Sequence, residues 1–118
     1  MMLFFKIFFF FLFSLKLSSS ERYICKYANE SNKELTTNFY VINEKVIMSG
    51  MSGSGEYNIL NKNHNGFFAI NSSFIGNDYG IETILIDNVS KKFIYKSKIS
   101  NNNKNNFIEI KGDCKFLN

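Results

Sequence analysis

The stretch Ile81–Ile99, IETILIDNVSKKFIYKSKI, decides the fold. Two runs rich in β-branched and aromatic residues, Ile81–Ile86 and Phe93–Ile99, flank a polar cluster from Asp87 to Lys92, which is the pattern of a β-hairpin. A four-residue loop, Asn88–Lys91, sets Asp87 opposite Lys92, Ile86 opposite Phe93 and Ile84 opposite Tyr95. The other face then carries Leu85 opposite Ile94, Thr83 opposite Lys96 and Ile81 opposite Lys98. Side chains alternate along a strand, so one face of this ribbon is apolar and aromatic while the other carries lysines. The apolar face needs a second layer, or closure of the sheet on itself, to leave water.

The chain before the hairpin repeats this texture. Tyr23–Tyr27 reads as a short strand with Tyr23, Cys25 and Tyr27 on one face, followed by a polar loop, Ala28–Lys33. Glu34–Ile42 reads as a second strand, and Asn43-Glu44-Lys45 turns the chain into a third, Val46–Met48. Gly50-Met51-Ser52-Gly53-Ser54-Gly55 is the most flexible stretch, because glycine reaches backbone angles that other residues avoid. Glu56–Leu60 and Phe67–Asn71 read as strands around the turn Asn61–Gly66. The segment Ser72–Gly80, with Phe74, Ile75 and Tyr79, reads as a loop that caps a barrel mouth.

Beyond the hairpin, the Asn-rich run Asn101–Asn106 reads as a loop and Phe107–Phe116 as the last strand. Ile108, Ile110, Gly112, Cys114 and Phe116 share one of its faces; Glu109, on the other with Phe107, is set to pair with a lysine of the preceding strand. Leu85, Ile94 and Phe107 are expected to form an exposed apolar patch. No run has helical spacing over a useful length. Seven or eight strands joined by short polar turns predict an all-β, antiparallel up-and-down meander that closes into a small barrel or a two-layer sandwich.

The first twenty residues have a different character. Lys6 supplies positive charge, Ile7–Leu15 is apolar apart from Ser14, and Ser18-Ser19-Ser20 offers small residues for cleavage. This is a signal peptide, with cleavage expected after Ser20. Its apolar run falls short of the roughly 20 residues that cross a bilayer, although retention as an uncleaved anchor stays open. Residues 21–118 then form a single β domain, exported to the periplasm or the extracellular space and not itself membrane-spanning. Arg22-Tyr23-Ile24 before Cys25 is not the small-residue context of a lipoprotein cysteine.

Half of the fourteen phenylalanines leave with that segment, and the remaining 12 basic and 10 acidic residues give a net charge of about +2. The lysines alternate with acids and asparagines, so there is no clustered positive field for nucleic acid. The abundance of Asn, Lys and Ile, with Pro and Trp absent, is the bias of A/T-rich codons. Cys25 and Cys114 sit near the two ends of the exported domain, where an oxidising compartment favours a disulfide. Closing so long a loop contributes about 4–5 kcal/mol at most in the chain-entropy view. A reactive thiol or metal pair is the competing reading of the two cysteines.

Catalytic chemistry finds little footing. His64, the single histidine, lies among Asn and Lys in a turn, and Glu82, Asp87, Glu109 and Asp113 read as surface charge and turn caps. No nucleophile elbow, phosphate loop or metal-ligand cluster appears, so no cofactor or metal is expected. Sequons begin at Asn29, Asn71 and Asn88, at loops or strand ends.

Two resemblances add expectations. A cysteine in the first strand, an Ile-Asp-x-x-Ser-x-x-Phe hairpin (Ile86-Asp87 to Phe93) and a Gly-x-Cys ending (Gly112-Asp113-Cys114) resemble small exported β-sheet proteins of A/T-rich bacteria. That likeness implies location and fold more than activity. Tyr23-Ile24-Cys25 with Ser54-Gly55-Glu56-Tyr57 before an aromatic pair is similar to the C-type lysozyme inhibitors, eight-stranded barrels whose Ser-Gly-x-x-Tyr loop enters the lysozyme cleft. The motif is one residue shorter here, and Phe67-Phe68 stand in place of that family's tryptophan. This second likeness implies contact by Ser54 and positioning by Tyr57, with lysozyme as the partner. From the residues alone, the function expected is binding of an unidentified protein or small apolar ligand, without catalysis, through Ser54, Gly55 and Tyr57 or through Phe74, Ile75 and Tyr79.

Overall fold

The structure, a computed structural model, describes residues 21–51 and 55–117; the expected signal peptide and Ser54 lie outside the described residues. Eight strands run in chain order: β1 (Glu21–Ala28), β2 (Glu34–Ile42), β3 (Lys45–Ser49), β4 (Glu56–Asn63), β5 (Gly66–Ile75), β6 (Asp78–Asp87), β7 (Lys92–Asn101) and β8 (Lys104–Leu117). Each pairs antiparallel with the next, and β8 returns to β1, so the sheet closes into a barrel. Of the two closures left open by the sequence, the barrel is the one observed. A closed sheet hides one face without needing a second layer.

The hairpin of β6 and β7 has the register that its hydrophobic alternation demands. Asp87 faces Lys92, Ile86 faces Phe93, Ile84 faces Tyr95 and Leu85 faces Ile94. Its loop is held by Asp87, whose carboxylate accepts the Val89 and Ser90 amides at 2.9 and 3.4 Å. Those amide bonds hold the Asp87 carboxyl below the usual carboxylate range. Asp87 is thus a turn cap, as expected; Asp113 pairs with Lys92, and Glu109 with Lys96 of the preceding strand at 3.7 Å.

Inward positions of every strand meet in one core. Tyr23, Phe39, Tyr57, Ile84, Ile86 and Phe93 are its largest fully buried members. Each such side chain contributes roughly 1.5–3 kcal/mol by leaving water. Tyr27 and Phe39 pack on Phe93 with ring centroids 6.3 and 5.7 Å away. The end of the barrel that holds the β4–β5 and β6–β7 connections is plugged by Tyr23, which packs against Phe67 and Phe116 and accepts a hydrogen bond from the Asn88 side chain at 3.2 Å.

The seam between β1 and β8 sets Cys25 directly opposite Cys114, their Cα atoms 4.0 Å apart, and the two form the disulfide. Beside it Gly112 is required by space: a β-carbon there would lie 2.0 Å from the Lys26 carbonyl oxygen and 2.5 Å from the Phe93 ring.

Three expectations are corrected. Ser72–Gly80 is not a loop: Ser72–Ile75 continues β5 and Asp78–Gly80 begins β6, around a two-residue turn at Gly76 and Asn77. Main-chain pairing does not depend on side-chain polarity, and Gly76 takes the left-handed φ of 62° that so tight a turn uses. The Asn-rich run contributes only Asn102 and Asn103 to its turn, at φ of 52° and 63°, while the asparagines on either side belong to strands. Asparagine tolerates that backbone region better than most residues. Finally, Phe107 does not join Leu85 and Ile94. It faces Lys98, while Ile94 faces Lys111, four residues further along β8.

Candidate functional site

The two halves of the barrel differ in height, and this creates a site. β4 and β5 are in register only as far as Asn58 and Ile70, and β1 meets β8 only from Gly112 to Leu117. The ladders β5–β6, β6–β7 and β7–β8 continue well past those points, to Ile75 with Asp78, Tyr79 with Ser100 and Asn101 with Lys104. Four strands therefore project as a curved lip above the end of the barrel where β1–β2 and β3–β4 connect. The concave side of that lip and the barrel mouth beneath enclose a cleft of about 470 Å³.

Strand alternation decides what faces the cleft. Ile75 on β5, Ile99 on β7 and Ile108 on β8 form apolar walls, while Glu82 on β6 stands at the floor. Glu82 continues inward from Ile84 and Ile86, two and four residues on, so the alternation that buries those isoleucines turns its carboxylate inward too. It is half-buried, and one oxygen, Oε1, accepts the phenol of Tyr57 at 2.8 Å and that of Tyr95 at 2.6 Å. Tyr57 reaches it from β4 and Tyr95 from the neighbouring β7, so this oxygen ties the short half of the barrel to the tall half. Burial, and next the bond to Glu82, push the Tyr95 phenol well above its ordinary value near 10. Glu82 is thus no surface charge: it is the carboxylate floor of a cleft whose isoleucines are interspersed with Asn71, Ser73, Ser97 and Ser100, with Asp78 as its second acid.

The residues expected to bind are drawn toward this end of the barrel in different ways. Ile75 lines the cleft, and Tyr79 contributes to its lining at the edge. Phe74 and Tyr79 face each other across β5 and β6, ring centroids 6.1 Å apart, on the outer side of the lip, and the Lys98 ammonium lies 5.4 Å from the Tyr79 ring. Gly55, at φ 87°, opens β4, and its carbonyl accepts the Met48 amide at 2.8 Å. Tyr57 is fully buried with its hydroxyl on Glu82, so it acts from inside the barrel. Of the other residues here, Tyr95 was placed on the inward face from the sequence, Glu82 was read as surface charge, and Ser97 was not named; the signal for Glu82 and Ser97 was their even spacing from Ile84 and Phe93.

His64 lies exposed in the β4–β5 turn at the opposite end, where its carbonyl accepts from the Asn88 side chain at 3.5 Å. Among the described residues no group of His, Cys, Asp and Glu is arranged to hold a metal ion. All three sequon asparagines use their side chains structurally. Asn29 accepts the Ser31 and Lys33 amides, Asn71 donates to the Glu56 carbonyl, and Asn88 donates to Tyr23.

What the described residues define is a small, disulfide-closed antiparallel β-barrel with a one-sided lip over its open end. No protein-family model, curated protein or solved structure matches the chain.

Proposed function

We propose that this is an exported binding domain that takes its partner or ligand at the lipped end and performs no catalysis. The observation that carries this reading is the cleft itself, a concave space where Ile75, Ile99 and Ile108 stand among a few polar groups and the doubly hydrogen-bonded Glu82, the composition of a ligand site. Glu82 is engaged by two phenols at once, which suits a fixed recognition group better than a carboxylate that must shuttle protons. The export reading rests on the signal-like residues 1–20 and is supported by the disulfide, since such bonds persist in oxidising compartments.

Native mass spectrometry of the protein recovered from its own compartment tests both parts. The expected mass begins at Glu21, is about 2 Da below the dithiol form for the Cys25–Cys114 bond, and carries a bound species that Ile99→Asp abolishes. A chain that keeps residues 1–20 overturns the processing. A bare chain whose Ile99→Asp variant behaves identically in every binding screen overturns the site.

A lysozyme-inhibitor-like role is the second reading, favoured by the glycine-flanked connection between β3 and β4, which meets the same end of the barrel. Gly50 and Gly55 border it, both at positive φ. A lysis assay in which the parent protein and Ser54→Ala are equally inert removes it.

A further inference from the structure

We infer that the cleft selects an amphiphilic amine: a protonated primary ammonium carried on an unbranched apolar chain. This deepens the binding role proposed above and rests on it. The inference comes from how the sheet sorts charge. On β6 and β7 the period of two sends Lys96 and Lys98 to the outer face, where Lys96 pairs with Glu109 and Lys98 lies over the Tyr79 and Phe107 rings. The same period sends Glu82 and Asp78 to the concave face, and the side chains lining the cleft include both carboxylates and no lysine or arginine. Lys104 shares the concave parity but stands at the hairpin tip, outside the lining.

The cleft is thus graded along its depth. At the rim, Asp78 accepts the Asn102 amide at 3.1 Å, and at the floor Glu82 holds the phenols of Tyr57 and Tyr95. The rest of the lining combines the apolar Ile75, Ile99 and Ile108 with uncharged polar residues such as Ser73, Ser97 and Ser100. A carboxylate or phosphate entering this space meets two like charges and no cation, and an uncharged chain satisfies the walls alone. An alkylammonium satisfies both walls and charge. Partial shielding from water strengthens that attraction over its value in bulk solvent. A zwitterionic phospholipid headgroup would bring a phosphate into the same field, so the amine is assigned as a free molecule rather than a lipid headgroup.

Titration calorimetry on the full oxidised protein with one tail and three heads decides it: dodecylamine, dodecanol and dodecanoate, each below its aggregation threshold at pH 7. The expected order is amine tightest, by about tenfold over the alcohol, with the carboxylate weakest. Glu82→Gln, which keeps an acceptor for both phenols, should bring amine and alcohol within about twofold of each other. Glu109→Gln, on the outer face, should alter nothing. If Glu82→Gln does not fold, Asp78→Asn must narrow the same gap. Dodecanoate binding as well as the amine, or a gap that survives both substitutions, overturns the amine assignment and leaves the cleft as a binding site. Failure of all three tails to bind overturns the cleft reading and the assignment together. Sedimentation with phosphatidylcholine vesicles that requires added phosphatidylethanolamine overturns the free-amine source.

Discussion

Gly112 of β8 passes so close to Lys26 of β1 that a β-carbon at position 112 would sit 2.0 Å from the Lys26 carbonyl oxygen. The seam of the barrel is therefore narrow by construction, and Phe93 fills the space directly inside it. Gly112→Ala should force β8 away from β1 and lower stability by about 4 kcal/mol or more, among the largest effects of single substitutions. Urea unfolding monitored by circular dichroism checks this. A midpoint near the parent's would mean that the seam can widen without cost.

The disulfide should matter about as much. Cys25→Ala with Cys114→Ala leaves the registers intact but frees the unfolded chain, with an expected loss of up to about 4–5 kcal/mol. Comparing the double variant with the reduced parent in the same denaturant series separates the lost cross-link from any packing defect. The two should agree.

Lys91 ends the β6–β7 loop at φ 59°, in a region where a side chain is disfavoured by about 1–2 kcal/mol. Its carbonyl accepts the Cys114 amide at 2.8 Å, a bond that any residue there retains. Lys91→Gly should therefore stabilise the protein by about 0.5–1 kcal/mol, the strain relieved outweighing the extra freedom of glycine in the unfolded chain. A raised thermal midpoint with unchanged far-UV spectrum is the expected result.

Alkaline pH should unfold the barrel through its tyrosines. Burial raises the phenols of both Tyr23 and Tyr95 above the ordinary value near 10. Above that pH the unfolded chain loses these protons while the folded chain keeps them, so stability, complete below pH 10, falls as pH rises. Tyrosinate absorbance should show part of the six tyrosines titrating only with the loss of structure. Tyr95→Phe should flatten the decline.

Tyr57 and Tyr95 share Glu82 Oε1, so their contributions should not add. Tyr57→Phe and Tyr95→Phe are each expected to cost about 1–2 kcal/mol. The double variant should lose measurably less or more than the sum, because either phenol changes how the carboxylate is held. Strict additivity would mean that the two bonds act independently.

The lower barrel was legible and the lip was not, for a physical reason. Ile84, Ile86, Phe93 and Tyr95 advertise their face because each buries a large apolar side chain, and Cys25 and Cys114 mark the seam by their even number and their places near the two ends of the domain. In the lip, Ser72–Ile75 and Asp78–Gly80 are paired mainly through main-chain groups, which side-chain composition does not report. Glu82 was hidden by the habit of treating a charge among lysines as solvated. Counting back by two from Ile84 would have turned it inward, but the β4 phenol that donates to it comes from 25 residues away.

Seven of the eight strand pairings join consecutive strands, and only the seam joins the beginning of the described chain to its end. Most of the ladder can form from near neighbours, a low-contact-order route, while β1 and β8 meet across a separation of 89 residues between the cysteines. The thiols come together only when the circle is complete. Oxidation thus serves as a record of finished folding: a protein found with the Cys25–Cys114 bond is one whose last ladder has formed.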